Sequence, residues 1–244
     1  MQDYFKGPLF LVFLLLFVNY SRTQIKENEN RFFDPSKKFT LVLYSTYVSS
    51  AEVQNNLNSS DQIERAVLTD LKGGFGFGFE LDYKPSLFNL DLIYYISTDY
   101  LKLDQKDIVY QYYNGVNIIT YKANDKFILI PAELGIKWPL PVSTDKFRIY
   151  IGGGAGLYLG NHTRNVDNLT SQKTRSKPGF SLNILAGLDY YLEKNIAAGI
   201  ELKFREASFD TESKYNYITT MPNQFATRLI VDGVRVSAGL KYNF

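Results

Sequence analysis

The chain has 244 residues, with 27 Lys and Arg against 25 Asp and Glu, a single His and no Cys. A length of this order suits one all-β domain, and a net charge of +2 without any basic block offers nothing to nucleic acid. The missing cysteines exclude disulfides, thiolate metal sites, a cysteine nucleophile and a lipidated N-terminal Cys, while 19 Tyr and 18 Phe favour strands and membrane interfaces.

Residues 8–18 read PLFLVFLLLFV, an apolar run of eleven that follows Lys6 and precedes a polar stretch with Ser21 and Thr23. A basic start, a short apolar core and then small or polar residues describe a secretory signal. A helix that spans a bilayer needs about 20 apolar residues, so the run is too short for a good anchor. The expected organisation is a signal peptide over 1–23, a periplasmic lead over 24–37 and one barrel domain over 38–244.

Eight alternating segments follow, at 38–48, 73–83, 88–103, 126–138, 147–160, 179–192, 196–209 and 230–244. Each is long enough to cross a bilayer as a tilted strand, which takes about 9–11 residues. The connections alternate between long (49–72, 104–125, 161–178, 210–229) and short (84–87, 139–146, 193–195). Long loops at one end and short turns at the other predict an all-β fold: an eight-stranded antiparallel up-and-down transmembrane β-barrel with external loops and periplasmic turns.

Parity then sorts the side chains. Phe75, Phe77 and Phe79 share a face of the second strand, and Phe180, Leu182 and Ile184 share one of the sixth. The opposite faces collect Glu80, Asp82, Asp91, Glu133, Asp189 and Glu201, with Lys137, Arg148, Lys203, Arg205, Arg235 and Lys241. A charge at the lipid midplane costs up to ~2–4 kcal/mol, so these twelve are expected inside. An eight-stranded barrel is only wide enough to fill with side chains, which predicts a charge-filled interior with no wide pore. At the short-turn ends the outward rings Phe39, Tyr83, Phe88, Trp138, Phe147, Tyr190, Tyr242 and Phe244 predict an interfacial girdle. Two stretches do not sort cleanly: the first strand is ambiguous in parity, and Phe127, Leu129 and Pro131 make the upper fourth strand apolar on both faces.

The segments FILIPAELGIK (127–137), FRIYIGGGAGLY (147–158) and VSAGLKYNF (236–244) resemble the bacterial outer-membrane protein β-barrel family, the small OmpA-like and porin-like barrels, over 38–244. The resemblance implies an outer-membrane location in contact with its lipid, and reading of the terminal Phe244 by the outer-membrane insertion machinery. It does not imply a task, because one fold hosts many.

Candidate chemistry is sparse. The glycine runs alternate inside strands with no helix after them, so no phosphate loop forms. His162, near Asp167 and Ser171, lacks a compact His-x-Ser partner and reads as a solvated loop histidine, without catalytic, cofactor or metal role. The segment 107–122, from Asp107 to Lys122, carries Tyr110, Tyr112, Tyr113 and Tyr121 around Asn114-Gly115, a hairpin signal and a candidate surface for an external ligand or protein. The expected function is a non-enzymatic barrel with a structural or loop-mediated recognition role. The alternatives are a small porin-like channel, a secretion-system or envelope-assembly component, a lipid-modifying enzyme and a soluble lipocalin-like carrier.

Overall fold

The computed structural model describes residues 37–244, apart from 56, 60, 61, 86–90, 114, 115, 145, 167, 168 and 216–223. The segments expected as signal peptide and lead therefore lie outside the described residues, but for Lys37. The elements are β1 (Phe39–Asn55), α1 (Gln62–Ala66), β2 (Leu68–Tyr83), β3 (Ile93–Tyr113), β4 (Ile118–Pro139), β5 (Phe147–Val166), β6 (Leu169–Thr170), β7 (Gln172–Lys177), β8 (Gly179–Tyr191), β9 (Ile196–Arg205), β10 (Ala207–Lys214), β11 (Gln224–Val231) and β12 (Arg235–Asn243).

Eight crossings close into a ring in the order β1–β2–β3–β4–β5–β8–β9–β12, and every pairing is antiparallel. The last seam joins β12 to β1 from Thr40↔Asn243 to Val48↔Arg235. The pairs β7/β8, β9/β10 and β11/β12 are the upper and lower pieces of single crossings, interrupted at Pro178, at Glu206 and at residues 232–234. The alternation that made these strands legible is inverted relative to a soluble barrel. In β8, Phe180, Leu182 and Ile184 are 65%, 69% and 66% exposed, while Ser181, Asn183 and Asp189 are buried. Charges point inward and hydrocarbon side chains outward, which rules out the lipocalin-like arrangement.

The parity of β1 now has a cause. Thr40, Val42, Tyr44, Thr46 and Val48 point inward, then Ser49 and Ser50 are both exposed, and Ala51 and Val53 take over the inner face. The strand changes phase once, so a single parity cannot describe it.

The four long loops are corrected to strand over much of their length. β1 and β2 stay paired up to Gln54↔Leu68, β3 and β4 up to Tyr113↔Ile118, and β4 and β5 up to Asn124↔Asn165. The predicted hairpin at 107–122 is thus a direct continuation of the wall, although its tip at Asn114-Gly115 lies outside the described residues. Above the bilayer an outward face turns polar, as with Lys122, Asn124 and Lys126 of β4. Such a strand has the composition of a loop while keeping its period of two. At the other end, the third crossing begins at Ile93 rather than at 88.

Candidate functional site: the filled interior

The lower and middle interior is an ion network between facing strands. At the turn end Arg148 of β5 donates Nη2–H to Asp189 of β8 at 2.7 Å, and Lys241 of β12 lies 2.9 Å from the same carboxylate. Above them Lys137 of β4 pairs with Glu80, with Asp82 at 3.4 Å and with Glu201 at 3.4 Å, its ammonium near the rings of Tyr95 and Tyr150. Higher still, Glu133 accepts from Lys203 (2.6 Å) and Arg205 (2.9 Å), and Arg235 donates to Asp99 at 2.8 Å while Tyr44 donates to that same Asp99. Glycine makes room where rings cross the lumen: a Cβ on Gly187 would sit 2.2 Å from the Tyr150 ring.

Eleven of the twelve side chains expected inside are buried there. The twelfth is a correction: Asp91 precedes β3, is 61% exposed and pairs with Lys84 at 2.8 Å on the turn side. Its place is taken by Asp99, which shares the inward parity of Ile93, Tyr95 and Ser97. The chamber holds Glu80, Asp82, Asp99, Glu133, Asp189 and Glu201 against Lys137, Arg148, Lys203, Arg205, Arg235 and Lys241, six of each sign. A buried charge is tolerated when paired and hydrogen-bonded, and equal numbers allow that for all twelve. A cavity beside Tyr44, Tyr150, Glu201, Arg235 and Lys241 measures about 20 Å³, space for one water.

The network stops short of the outer surface. Val48, Leu101, Leu103, Phe127, Leu129, Phe209, Leu229 and Val231 form a continuous buried apolar layer above it. This explains Phe127 and Leu129: their side of β4 faces a greasy plug, while Ile128 and Ile130 face outward.

A second polar group sits above the plug. His162 is corrected from a solvated loop residue to a fully buried residue of β5, stacked on Phe127 with ring centres 4.1 Å apart. Its Nε2 lies 3.3 Å from Asp125, out of line for a hydrogen bond, and its Nδ1 has no partner among the described residues. Arg164 donates twice to Asp125, at 2.8 Å each, and once to Asn55 at 2.6 Å, with its guanidinium between Tyr110 (4.0 Å) and Phe225 (4.9 Å). Tyr110 donates to Asp125 as well, so this hairpin tyrosine faces inward. Burial lowers the His162 pKa, more than Asp125 raises it. Burial also pushes the Asp125 carboxyl up, but Arg164 and His162 outweigh it and hold it below the usual carboxylate range. Ser171 accepts the backbone N–H of Arg164, and no hydrogen bond joins it to His162 among the described residues. Sequence reasoning missed Asp125, Arg164 and the burial of His162; the signal was the unbroken alternation of β5 through 158, 160, 162, 164 and 166.

The outer surface completes the picture. At the turn end Phe39 stacks with Phe244 (5.9 Å) and Tyr242 with Phe244 (6.3 Å), while Phe39 meets Tyr83 (5.1 Å) and Phe147 meets Tyr190 (5.0 Å) at a tilt. Trp138 stands half-buried on the outward face, and Phe88 lies outside the described residues. A closed ring with no free edge, an apolar exterior, an aromatic rim and charges locked inside define an integral outer-membrane β-barrel.

Comparison agrees at the level of fold. The outer membrane protein OprG from Pseudomonas aeruginosa superposes with a TM-score of 0.61 at 12% identity, over 88% of this chain and 99% of that one. The outer membrane protease OmpT from Escherichia coli (0.46, 11%, 88% and 99%) and Neisserial surface protein A (0.42, 15%, 84% and 97%) superpose too loosely to add weight. No family model and no curated protein matches the sequence.

Proposed function

We propose that this barrel is a non-enzymatic wall protein of the outer membrane, whose work is done by its surface above the bilayer and not through its interior. The observation that carries the reading is the double seal: a charge-balanced network below and an apolar plug above, in series along the axis. Eight strands leave little lumen to begin with, and this one is occupied along its length. The wall above the membrane, by contrast, is long and offers apolar side chains where no lipid covers them: Val109, Val116 and Ile118 of the 107–122 hairpin are 54%, 81% and 66% exposed. Apolar groups on a polar-rimmed surface mark a protein contact, so that hairpin is the proposed recognition element.

Three measurements test this. The purified barrel in planar bilayers with concentrated potassium chloride is expected to stay silent; a steady conductance altered by Glu201→Gln or Arg235→Gln would establish a channel instead. A photo-crosslinking residue at Val116 in intact cells should capture a macromolecule that the same residue at lipid-facing Phe77 does not. Equal capture at both positions, or none at Val116, removes the hairpin from the proposal. Unchanged lipid A masses on overproduction are expected, and an altered acylation pattern would make the protein an enzyme.

A further inference from the structure

Above the bilayer the ring is not uniformly zipped. The β2–β3 ladder ends at Phe75↔Lys102 although β2 begins at Leu68 and β3 runs on to Tyr113. The β5–β8 ladder ends at Tyr158↔Gly179, while β5 continues to Val166 and β7 pairs with β10 alone among the described residues. Both breaks fall at the outer edge of the apolar band, where Phe75 and Phe180 are the last large rings on their strands. The other seams persist: β1–β2, β1–β11, β10–β11 and β10–β7 on one side, β3–β4 and β4–β5 on the other. The external half is therefore two sheets, β2–β1–β11–β10–β7 and β3–β4–β5 with the short β6 paired on β5, standing on one closed ring and linked through Ser171, which joins β6 to β7.

Side chains substitute for a ladder at each break. At the first, Gln105 accepts the backbone N–H of Lys72 at 2.5 Å, beside a bulge where Asp107 has a φ of 57°. At the second, Ser176 donates to the backbone carbonyl of Gly160 at 3.0 Å, and above it Ser171 donates its backbone N–H to the Arg164 carbonyl at 2.9 Å while its hydroxyl accepts the Arg164 N–H at 2.9 Å. Isolated bonds of this kind resist opening far less than a run of backbone pairs. At the top the two sheets meet through the upper part of the buried apolar cluster, with Val53 and Phe225 from one and Tyr110 and Val166 from the other, and the polar contacts between them centre on Arg164: its bond to Asn55, its contact with Phe225, and the Tyr215 hydroxyl on its carbonyl at 3.4 Å.

We propose that the external half of this barrel is a jaw: its two sheets part along the β2/β3 and β5/β7 seams while the transmembrane ring stays shut, and Arg164 is the clasp that holds them together. Opening would bare the apolar inner faces and the unpaired edges of β3 and β5, surfaces suited to pairing with an added strand.

The chain has no cysteine, so spin labels can be placed freely. Labels at Lys122 on the sheet of β3–β4–β5 and Lys214 of β10 on the five-strand sheet, both exposed, report the separation in detergent or nanodiscs. In the parent chain one narrow distance distribution is expected. Arg164→Ala should lengthen and broaden it, and amide exchange should quicken at least tenfold in 68–74, 159–166 and 172–177. The same variant must keep its fast, unboiled gel mobility and slow exchange in 75–83 and 147–158, which shows that the ring is intact. An unchanged distribution overturns the jaw. So does exchange that quickens equally in ring and extension, which would make Arg164 a general stability residue. Arg164→Lys, unable to hold Asp125 and Asn55 in the same fork, should fall between the two, and parent-like behaviour in it would remove the clasp.

Discussion

At the scale of single residues, the buried groups divide into those that only hold the fold and those that can also respond. Glu133 belongs to the first kind. It accepts from Lys203 and Arg205 and lies 3.7 Å from Arg235. Glu133→Gln takes the carboxylate from Arg205 and leaves Lys203 with Glu201 at 3.7 Å, while Arg235 keeps Asp99, and removing one partner of a buried ion cluster costs about 3–5 kcal/mol. Urea unfolding in detergent should shift down by that amount, while the outward Lys126→Gln change leaves it in place. His162 is of the second kind. Around it stand Asp125 from β4, Arg164 on its own strand, and Tyr110 and Tyr215 reaching in from β3 and from the end of β10. Arg164 stays charged because Asp125 outweighs its burial, and both tyrosines are pushed up by burial and stay neutral. Of these groups only His162 has an ordinary value, 6.5, near neutral pH. Its folded pKa lies below the ordinary 6.5, so the opened extension binds more protons than the closed one as the pH drops. Closure is at full strength above about pH 6.5 and weakens as the pH falls through the folded value; loss of the Asp125 contribution follows only below the carboxylate range. Protection of the amides in 159–166, taken relative to their base-catalysed intrinsic exchange rate at each pH, should therefore fall between pH 7.5 and pH 5. His162→Phe, which keeps a ring against Phe127, should flatten that response, and an unaltered response would assign it to another group.

At the scale of elements, what could be read from the sequence followed the solvent on each side of a strand. Where hydrocarbon faces one side and charge the other, as in β8, β9 and β12, the period of two was plain and inward residues could be named one by one. Asp99 shares that inward parity, two steps beyond Ser97, whereas Asp91 lies outside the strand, among residues that precede Ile93. Above the bilayer the contrast reverses, with polar residues outside and apolar ones within, so 104–125 and 161–178 carried a loop composition over a strand backbone. His162 was misplaced for that reason, although Tyr158, Gly160, Arg164 and Val166 share its parity. The phase change at Ser49-Ser50 has no signal in the sequence of β1, since it falls where the strand's partner changes from β12 to β11. Close packing between strands gives the element-scale prediction. A Cβ on Gly154 would lie 2.3 Å from the backbone oxygen of Leu134 and 2.5 Å from the Tyr95 hydroxyl, and the former cannot move without breaking the β4–β5 ladder. Gly154→Val is expected to abolish the fast-migrating unboiled form, whereas Ala155→Leu, on the lipid side of the adjacent position, should preserve it.

At the scale of the whole molecule, the interior is two barriers in series, and series barriers make a specific demand on any permeation experiment. An ion entering from the turn side meets paired charges from Arg148 up to Arg205 and Asp99. An ion entering from outside meets the plug of Leu101, Leu129, Phe209 and Leu229 before any of these. Stripping solvent from an ion in an apolar layer is costly by itself, so loosening the network alone leaves the plug as a block. Shaving the plug alone leaves the lumen filled with salt bridges. Glu133→Ala with Arg205→Ala should thus remain silent in planar bilayers, as should Leu129→Ala with Phe209→Ala. Only the four substitutions together, in protein that still shows the unboiled gel shift, should give discrete openings. If either pair alone conducts steadily, the barriers are not in series, the lumen already contains a continuous polar path, and the role assigned to the external surface would have to be shared with transport.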